Sequence, residues 1–142
     1  MKVHYSSKSN EWATPQNLFD ELNDEFNFTL DPCATDENAK CSKYFTIEDD
    51  GLSKDWSNEV VFMNPPYGRE IKKWIEKAYK ECLNGATVVC LIPARTDTTY
   101  WHDFIFDKAN DIRFLRGRLK FGNSKNSAPF PSAIVVYQGV TT

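Results

Sequence analysis

Apolar and polar residues alternate along the chain with two different periods, and the change of period predicts where helices and strands lie. Apolar side chains recur at helical spacing in residues 12–26 and again in residues 71–83, after which Gly85 ends the run. Short apolar runs at residues 60–63 and 87–93 are typical of strands that are covered on both faces. These segments predict two amphipathic helices and two buried strands.

Weaker patterns predict the remaining elements. Thr14 is expected to cap the first helix, with Pro15 in its first position. Asp97 is expected to cap a later helix. The other predicted elements are strands at residues 26–30 and 44–47, that later helix at residues 98–109, and two or three strands within residues 111–122 and 132–139.

The order of these elements predicts an α/β fold whose sheet is mostly parallel in its centre. In such sheets, ligands bind outside the carboxyl ends of the strands. Two sharp turns, residues 31–34 (DPCA) and 64–68 (NPPYG), follow predicted strands and therefore fall at these ends. The length of 142 residues suits one domain. We place it at residues 11–142, after a flexible N-terminus at residues 1–10.

Composition and charge narrow the classes of function. The formal net charge of -3 gives no general attraction to nucleic acid, so such a partner would need a local basic patch. No apolar run is long enough to cross a bilayer, and no export signal is evident, so a cytoplasmic protein without a membrane partner is expected. Four cysteines lack zinc-ligand spacing, so we expect structural thiols and no metal.

The turn NPPYG carries the main chemical signal. Pro65 and Pro66 have fixed φ angles, which restricts the Asn64 side chain and the Pro65 carbonyl. Two oxygen acceptors held in this way can bind both N–H groups of one exocyclic amine. The ring of Tyr67 is then placed to stack on the base that carries the amine. The alternative is a tight turn that only ends a strand.

Here the sequence resembles a known family. Asn64, Pro65, Pro66 and Tyr67 match the catalytic signature of amino-group methyltransferases that use S-adenosylmethionine. With WATPQNLFDELNDEFNFTLDPCA, YFTIEDDGLSKDW, LIPARTDT and APFPSAIVVY in the same order, residues 12–137 resemble the phage-type DNA N6-adenine methyltransferases. The resemblance implies a compact Rossmann-like sheet with helices on both faces and antiparallel C-terminal strands. It also implies site-specific methylation of the adenine N6 amine in DNA, and a phage or prophage origin in a bacterial host.

The resemblance further implies the residues that bind the cofactor. Asp31 matches the acidic residue whose carboxylate accepts hydrogen bonds from the methionine ammonium group. An acid of residues 48–50 is expected to bind the ribose hydroxyls or the adenine amine, and Asp50 is preferred because it adjoins Gly51. The remaining implied positions are Pro32, Cys33 and Ala34 in the first turn, Trp12, Thr14 and Pro15 over the methionine end, Asp49, and Asn64. The first turn has no glycine, unlike typical cofactor loops of this class, so a more open pocket and weak cofactor affinity are alternatives.

Contacts with the substrate are predicted in the second half of the chain. Residues 111–126 contain five basic side chains and one acid, a pattern that fits a phosphate backbone, although solvent-facing strand residues explain it as well. The expected substrate-binding residues are Tyr67, Arg95, Arg116, Arg118, Lys120 and Phe130. Other functions remain open at this stage: an RNA or protein amide methyltransferase, or a catalytically silent nucleic-acid-binding module. A separate target-recognition domain does not fit in this length.

Overall fold

The structure, a computed structural model, describes residues 12–122 and 124–140. The described chain forms a four-stranded mixed sheet with helices packed against it. Its main elements, in chain order, are helix α1 (Gln16–Phe26), strand β1 (Val60–Met63), helix α2 (Ile71–Leu83), and strands β2 (Thr87–Pro93), β3 (Asp111–Phe114) and β4 (Ser132–Tyr137). A 3-10 turn at Gly51–Ser53 and a π-helical turn at Trp101–Ile105 complete them. The predicted flexible segment at residues 1–10 lies outside the described residues.

The strand order is β1-β2-β4-β3, and only the β1–β2 pair is parallel. Strand β4 pairs antiparallel with both β2 and β3. The prediction of a mostly parallel centre is therefore wrong, because β4 runs back between β2 and β3. The α/β class and the antiparallel C-terminal strands are confirmed, whereas a Rossmann-like sheet is not.

The parallel side of the sheet is continued by two isolated bridges, Leu30 with Val61 and Asp31 with Tyr44. The strands predicted at residues 26–30 and 44–47 are thus reduced to single paired positions. The chain turns at Pro32, which has no N–H to donate, and the Asp31 carboxylate takes up the nearby backbone N–H groups. Beyond Pro32 one backbone hydrogen bond continues the pairing, from the Ala34 N–H to the Phe45 carbonyl oxygen at 3.0 Å.

One helix packs on each face of the sheet, as predicted. On the face of α1, Phe19 and Leu22 join a buried cluster with Phe62 of β1 and with alternate residues of β2 and β4. On the opposite face, Trp74 and Ile75 of α2 join the other alternate residues of the same strands. Each large apolar side chain that is fully buried in this way contributes about 1.5–3 kcal/mol. The sheet is therefore a fixed platform for the turns at its edge.

Two predicted helix starts are wrong. Helix α1 begins at Gln16 with Pro15 in the N-cap position, and no side chain caps it. The Thr14 hydroxyl instead accepts a hydrogen bond from the side-chain amide of Asn64. The helix predicted at residues 98–109 is shorter: residues 99–100 are α-helical and continue into the π-helical turn Trp101–Ile105, without a side-chain cap from Asp97. The aromatic side chains of this segment pack inward irregularly, with Trp101 fully buried.

The topology gathers several chain segments at one edge of the sheet. Strands β1, β2 and β3 point in the same direction, so their carboxyl ends lie at the same edge. Strand β4 starts at this edge, where Ser132 pairs with Pro93. The bridge from Leu30 to β1 is parallel and brings Asp31 to the same side. The edge therefore carries Asp31, Asn64 and Arg95.

Candidate active site

A cavity of about 770 Å3 opens at this edge of the sheet. All four residues of the predicted catalytic turn line it, and so do all four residues of the turn at 31–34. Trp12, Thr14 and Asp50 line it as well. Pro15, Asp49, Arg95, Arg116, Arg118, Lys120 and Phe130 are not among its lining residues.

Asn64 follows directly on β1, and its side-chain amide is held by the segment that precedes α1. Its Nδ2 donates to the Trp12 carbonyl oxygen at 2.6 Å and to the Thr14 hydroxyl oxygen at 3.1 Å. Its Oδ1 is buried and has no hydrogen-bond partner among the described residues. A buried oxygen without a donor costs free energy, about 1–3 kcal/mol, so such atoms are uncommon outside functional sites. This oxygen is an acceptor held ready for a ligand.

The two prolines keep the turn rigid and leave a second acceptor beside the first. Pro65 is buried, and its φ angle is fixed by the ring. Its carbonyl oxygen accepts no hydrogen bond within the described part of the chain. Gly68 follows with φ +110°, a conformation that side chains rarely adopt, so the chain turns there toward α2.

Asp31 is buried, with 4% of its surface exposed, and its carboxylate organises its own turn. Its Oδ1 accepts the Cys33 backbone N–H at 3.2 Å, and its Oδ2 accepts the Lys40 backbone N–H at 3.0 Å. Each oxygen keeps one further lone pair. The carboxylate is therefore oriented toward the cavity and still able to bind a cationic group.

Burial is the main cause of a raised pKa for Asp31. Because the charged form is poorly solvated there, the pKa of its carboxyl group rises to about 6, and the hydrogen bonds from Lys40 and Cys33 only partly oppose this. The group is mostly ionised at pH 7 and becomes neutral at mildly acidic pH. A cation in the cavity would favour the ionised form further.

The turn at residues 31–34 has no glycine, but Gly51, farther along the chain, packs closely against it. A Cβ atom at Gly51 would lie 2.5 Å from the Pro32 carbonyl oxygen and 3.1 Å from the Trp74 ring. Such a distance to backbone is not tolerated without a shift of the chain. Close approach of two backbones is thus achieved opposite the turn and not within it, while the turn itself is fixed by reciprocal hydrogen bonds between Thr35 and Asn38.

Tyr67 belongs to an aromatic cluster formed by Trp12, Tyr67, Phe121 and Phe130. Its ring centroid lies 5.9 Å from that of Trp12 and 5.6 Å from that of Phe130. Its hydroxyl donates to the Leu91 carbonyl oxygen at 3.2 Å, and burial raises the pKa of the phenol well above its usual value. Tyr67 is therefore a neutral ring fixed at the wall of the cavity. Phe121 is buried in this cluster, with 2% of its surface exposed.

The acids at residues 48–50 are separated by their geometry. Asp50 lines the cavity in a left-handed conformation, and no contact of its carboxylate is found among the described residues. Asp49 instead accepts the backbone N–H and the hydroxyl of Thr46. Asp49 therefore stabilises a turn, whereas Asp50 is available to a ligand.

Of the predicted substrate residues, only Tyr67 lines the cavity. Arg95 follows β2, and its guanidinium lies 5.4 Å from the centroid of the Phe130 ring. Phe130 is buried, with 5% of its surface exposed, so here it supports the cavity wall. Arg113 is engaged in a bidentate pair with Glu25 at 2.7 Å. By contrast, four cations of the following segment are exposed and have no carboxylate partner within the described chain: Arg116, Arg118, Lys120 and Lys125.

The sequence missed several residues that line the cavity, chiefly Lys40, Asn38 and Trp74. The Lys40 ammonium donates to the Gln16 side chain at 2.7 Å and so connects the 31–40 turn to α1. No local pattern marks these residues, because they reach the cavity through contacts between distant segments. Trp74 belongs to the helical pattern of α2, which indicated only a core position.

The described residues contain neither a cluster of metal ligands nor a membrane-spanning helix. Among residues 12–122 and 124–140, no cluster of His, Cys, Asp and Glu could hold a metal ion. No helix in the same residues is long and apolar enough to span a bilayer.

The cysteines are free thiols, and burial raises the pKa of Cys41 to about 12 and that of Cys33 well above its usual value. These thiols are therefore poor nucleophiles.

A buried carboxylate and an unpaired amide oxygen thus line the same cavity at one edge of the sheet. The family model for DNA N-6-adenine-methyltransferase (Dam) matches residues 3–136, and the chain belongs to this family. The DNA N-6-adenine-methyltransferase of Haemophilus phage HP1 is 32% identical over 117 residues, which cover 80% of this chain and 67% of that protein. The DNA N-6-adenine-methyltransferase of Escherichia phage T1 is 29% identical over 92 residues, covering 63% of this chain and 38% of that protein.

Proposed function

We propose that the protein transfers a methyl group from S-adenosylmethionine to the N6 amine of adenine in DNA. The observation that carries the proposal is the unpaired, buried Oδ1 of Asn64 at a cavity that also contains the Asp31 carboxylate. Family membership supports the reaction, and the two turns supply groups of the right chemistry. An acceptor that has no donor among the described residues fits a substrate that brings one.

The chemistry of the acceptor follows from the amine it would bind. The lone pair of an exocyclic adenine nitrogen is delocalised into the ring, so the amine is a weak nucleophile. Asn64 Oδ1 and the Pro65 carbonyl would accept its two N–H groups and favour a tetrahedral nitrogen with a localised lone pair. These hydrogen bonds accelerate transfer if they strengthen in the transition state. After transfer the nitrogen is strongly acidic and loses its proton to water.

The residues of the first turn fit the donor molecule. S-adenosylmethionine supplies an electrophilic methyl group on a sulfonium centre. Its ammonium group would be held by the Asp31 carboxylate, whose free lone pairs remain after the bonds from Cys33 and Lys40. Pro32, Cys33 and Ala34 would border it, with Trp12 above, whereas the Thr14 hydroxyl is bound to Asn64 and Pro15 lies outside the cavity lining. Asp50 would bind hydroxyls of the ribose, and Asp49 would act through its turn.

A base must leave the DNA stack to reach Asn64. Swinging it out costs a few kcal/mol, and stacking on an aromatic ring recovers about 1–3 kcal/mol. The fixed ring of Tyr67 lines the cavity and would supply this contact, with Phe130 and Arg95 behind it. In-line transfer then depends mainly on positioning, so the site needs no nucleophile of its own.

The DNA backbone would be bound by the basic loop, residues 116–122 and 124–125. Phe121 anchors this loop to the aromatic cluster, with its ring centroid 5.4 Å from that of Trp12. Arg116, Arg118 and Lys120 are exposed beside this anchor. Cations near the cavity would hold phosphates on either side of a displaced adenine.

The assay is incubation with methyl-labelled S-adenosylmethionine and unmethylated DNA, followed by nucleoside analysis. Labelled N6-methyladenine is the expected product. Label in RNA or in a protein amide, but not in DNA, would assign the other methyltransferase activities. No product together with no heat in a titration with S-adenosylmethionine would indicate a silent nucleic-acid-binding module. Either result contradicts the proposal.

The role of the basic loop is measured by the salt dependence of DNA binding. Each phosphate contact contributes about 0.9 to the slope of log K against log salt concentration. The double variant Arg118→Gln/Lys120→Gln should lower this slope by about 1.8. Lys80→Gln is the matched control, since Lys80 is exposed on α2 and paired with Glu76 at 2.9 Å. Equal slopes for both variants would exclude the loop from DNA contact.

A further inference from the structure

The orientation of the Asn64 amide is determined by the segment before α1. The amide has two N–H groups, and both are used, one by the Trp12 carbonyl and one by the Thr14 hydroxyl. Turning the amide over would place Oδ1 against the Trp12 carbonyl at 2.6 Å, where two acceptors repel. The contacts with residues 12–14 therefore select the orientation that leaves Oδ1 free.

Thr14 is available for this contact because the helix does not use it. Helix α1 starts after Pro15, and no side chain makes a capping hydrogen bond. Thr14 is 6% exposed, and its hydroxyl oxygen lies 3.1 Å from Asn64 Nδ2. A buried Thr whose hydroxyl reaches across 50 residues of sequence is not explained by local structure.

The segment is held over Asn64 from two further sides. The Ala13 carbonyl accepts the backbone N–H of Gly122 at 2.9 Å. The Trp12 ring packs against Tyr67 and Phe121 of the aromatic cluster. Residues 12–14 are thus fixed between the catalytic turn and the basic loop, so their hydrogen bonds to Asn64 are well defined.

We infer that Thr14 is a positioning residue, whose hydroxyl holds the Asn64 amide so that Oδ1 faces the substrate amine. The inference rests on the proposed function and adds a residue that acts through Asn64. Without the hydroxyl, one Nδ2 proton has no acceptor, and the Asn64 amide can rotate about its remaining hydrogen bond to the Trp12 carbonyl. The acceptor is then misplaced at the moment of transfer, while the cavity that binds the donor molecule is unchanged.

The test compares Thr14→Val, which removes the hydroxyl at nearly constant shape, with Thr14→Ser, which retains it. Thr14→Val should lower the single-turnover rate of DNA methylation about tenfold, the scale of one lost hydrogen bond. Its affinity for S-adenosylmethionine should stay within about twofold of the wild type, and Thr14→Ser should restore the rate. A wild-type rate for Thr14→Val would overturn the inference. So would a loss confined to S-adenosylmethionine affinity, which would make Thr14 a cofactor ligand.

Hydrogen exchange of the Asn64 side-chain amide gives a readout that needs no activity. With 15N-labelled asparagine, the Asn64 signals are identified by their absence in Asn64→Ala. Both Nδ2 protons should exchange slowly in the wild type and one should exchange faster in Thr14→Val. Should Thr14→Val fail to fold, solvent-like exchange in the wild type would still overturn the contact. Protected protons in a wild-type protein that methylates no DNA would overturn the proposed function but support the contact.

Discussion

The two turns that face the cavity, at Asp31 and at Asn64, orient their oxygen acceptors in opposite ways. Asp31 carries a charge, and its carboxylate is held by backbone N–H groups of its own loop, from Cys33 and Lys40. Asn64 is neutral, and its amide is held by residues about 50 positions earlier in the chain. One acceptor is oriented locally and the other by the tertiary fold.

The difference suits two kinds of ligand. A charged acceptor with local support can bind a cation with little change in the rest of the protein. A neutral acceptor without any donor gains most from a ligand whose N–H groups reach it. We therefore expect changes at Asp31 to alter binding of the donor molecule and changes at Asn64 to alter the rate of transfer.

The largest expected effect is that of Asn64→Ala on the rate. Removing Oδ1 should lower the single-turnover rate on the order of 100-fold or more, since the acceptor acts on the reacting nitrogen itself. Affinity for S-adenosylmethionine should change by less than about threefold, because the Asp31 turn is untouched. Rapid-quench assays and calorimetry measure the two quantities.

Asn84→Ala is the matched control for this substitution, because Asn84 is exposed just after α2. It should retain the wild-type rate and affinity. If Asn64→Ala lowered the affinity for S-adenosylmethionine as much as it lowered the rate, the assignment of binding to Asp31 and of transfer to Asn64 would be wrong.

A smaller effect is expected for Asp31→Asn, and it should appear in binding. Loss of the charge removes the charge-assisted bond to the ammonium group, which is worth about 1.5–3 kcal/mol, or roughly 10- to 100-fold in affinity. The new NH2 group also cannot accept the N–H of Cys33 or Lys40, so we expect a lower Tm as well. Calorimetry with S-adenosylmethionine and thermal unfolding measure both changes.

The control for Asp31→Asn removes a charge from the same loop. Asp36 is exposed, and its Oδ1 accepts the Tyr44 hydroxyl at 2.7 Å, a bond that Asp36→Asn can keep. This variant should bind S-adenosylmethionine like the wild type. An equal loss in both variants would show that the total charge of the loop matters and not the position of Asp31.

The same contrast explains how much the sequence predicted. Helix α2, strands β1 and β2 and both turns followed from periodicity and from proline positions, because these signals are local. The position of β4 between β2 and β3 was not predicted, because the sequence of a strand does not show which distant strand it pairs with. Thr14 was assigned to a helix cap for the same reason. Its hydrogen-bond partner, Asn64, lies 50 residues away in the sequence. Helix capping, by contrast, is predicted from neighbouring residues alone.

Gly51 shows a further limit of reading the chain locally. The turn at residues 31–34 lacks the glycine that close backbone approach was expected to require. A close approach occurs instead between two backbones of the protein, where Gly51 meets the Pro32 carbonyl, and 16 residues separate position 34 from position 51 in the sequence. A backbone contact between two loops is a property of the fold, so only the structure shows which glycine is needed.

The smallest effect expected is on pH dependence, and it separates the turns because only one of them titrates. The pKa of Asp31 is raised to about 6 in the folded protein, so its carboxylate is lost as the pH falls through that value. Affinity for S-adenosylmethionine should fall about tenfold from pH 7.5 to pH 5 in the wild type, and Asp31→Asn should show a flat profile. The same slope in Asp31→Asn would assign the titration to another group.

Stability should respond to Asp31 in the opposite sense. The folded pKa of about 6 lies above the ordinary aspartate pKa of 3.8, so the protonated carboxyl favours the folded state. This contribution is complete below about pH 3.8 and disappears as the pH rises through about 6. The difference in unfolding free energy between Asp31→Asn and the wild type should therefore shift in favour of the variant as the pH rises from 4 to 7. Urea unfolding at each pH measures this difference. Donor affinity and the stability contribution of one buried carboxylate thus change in opposite directions with pH, a relation that the neutral Asn64 cannot produce.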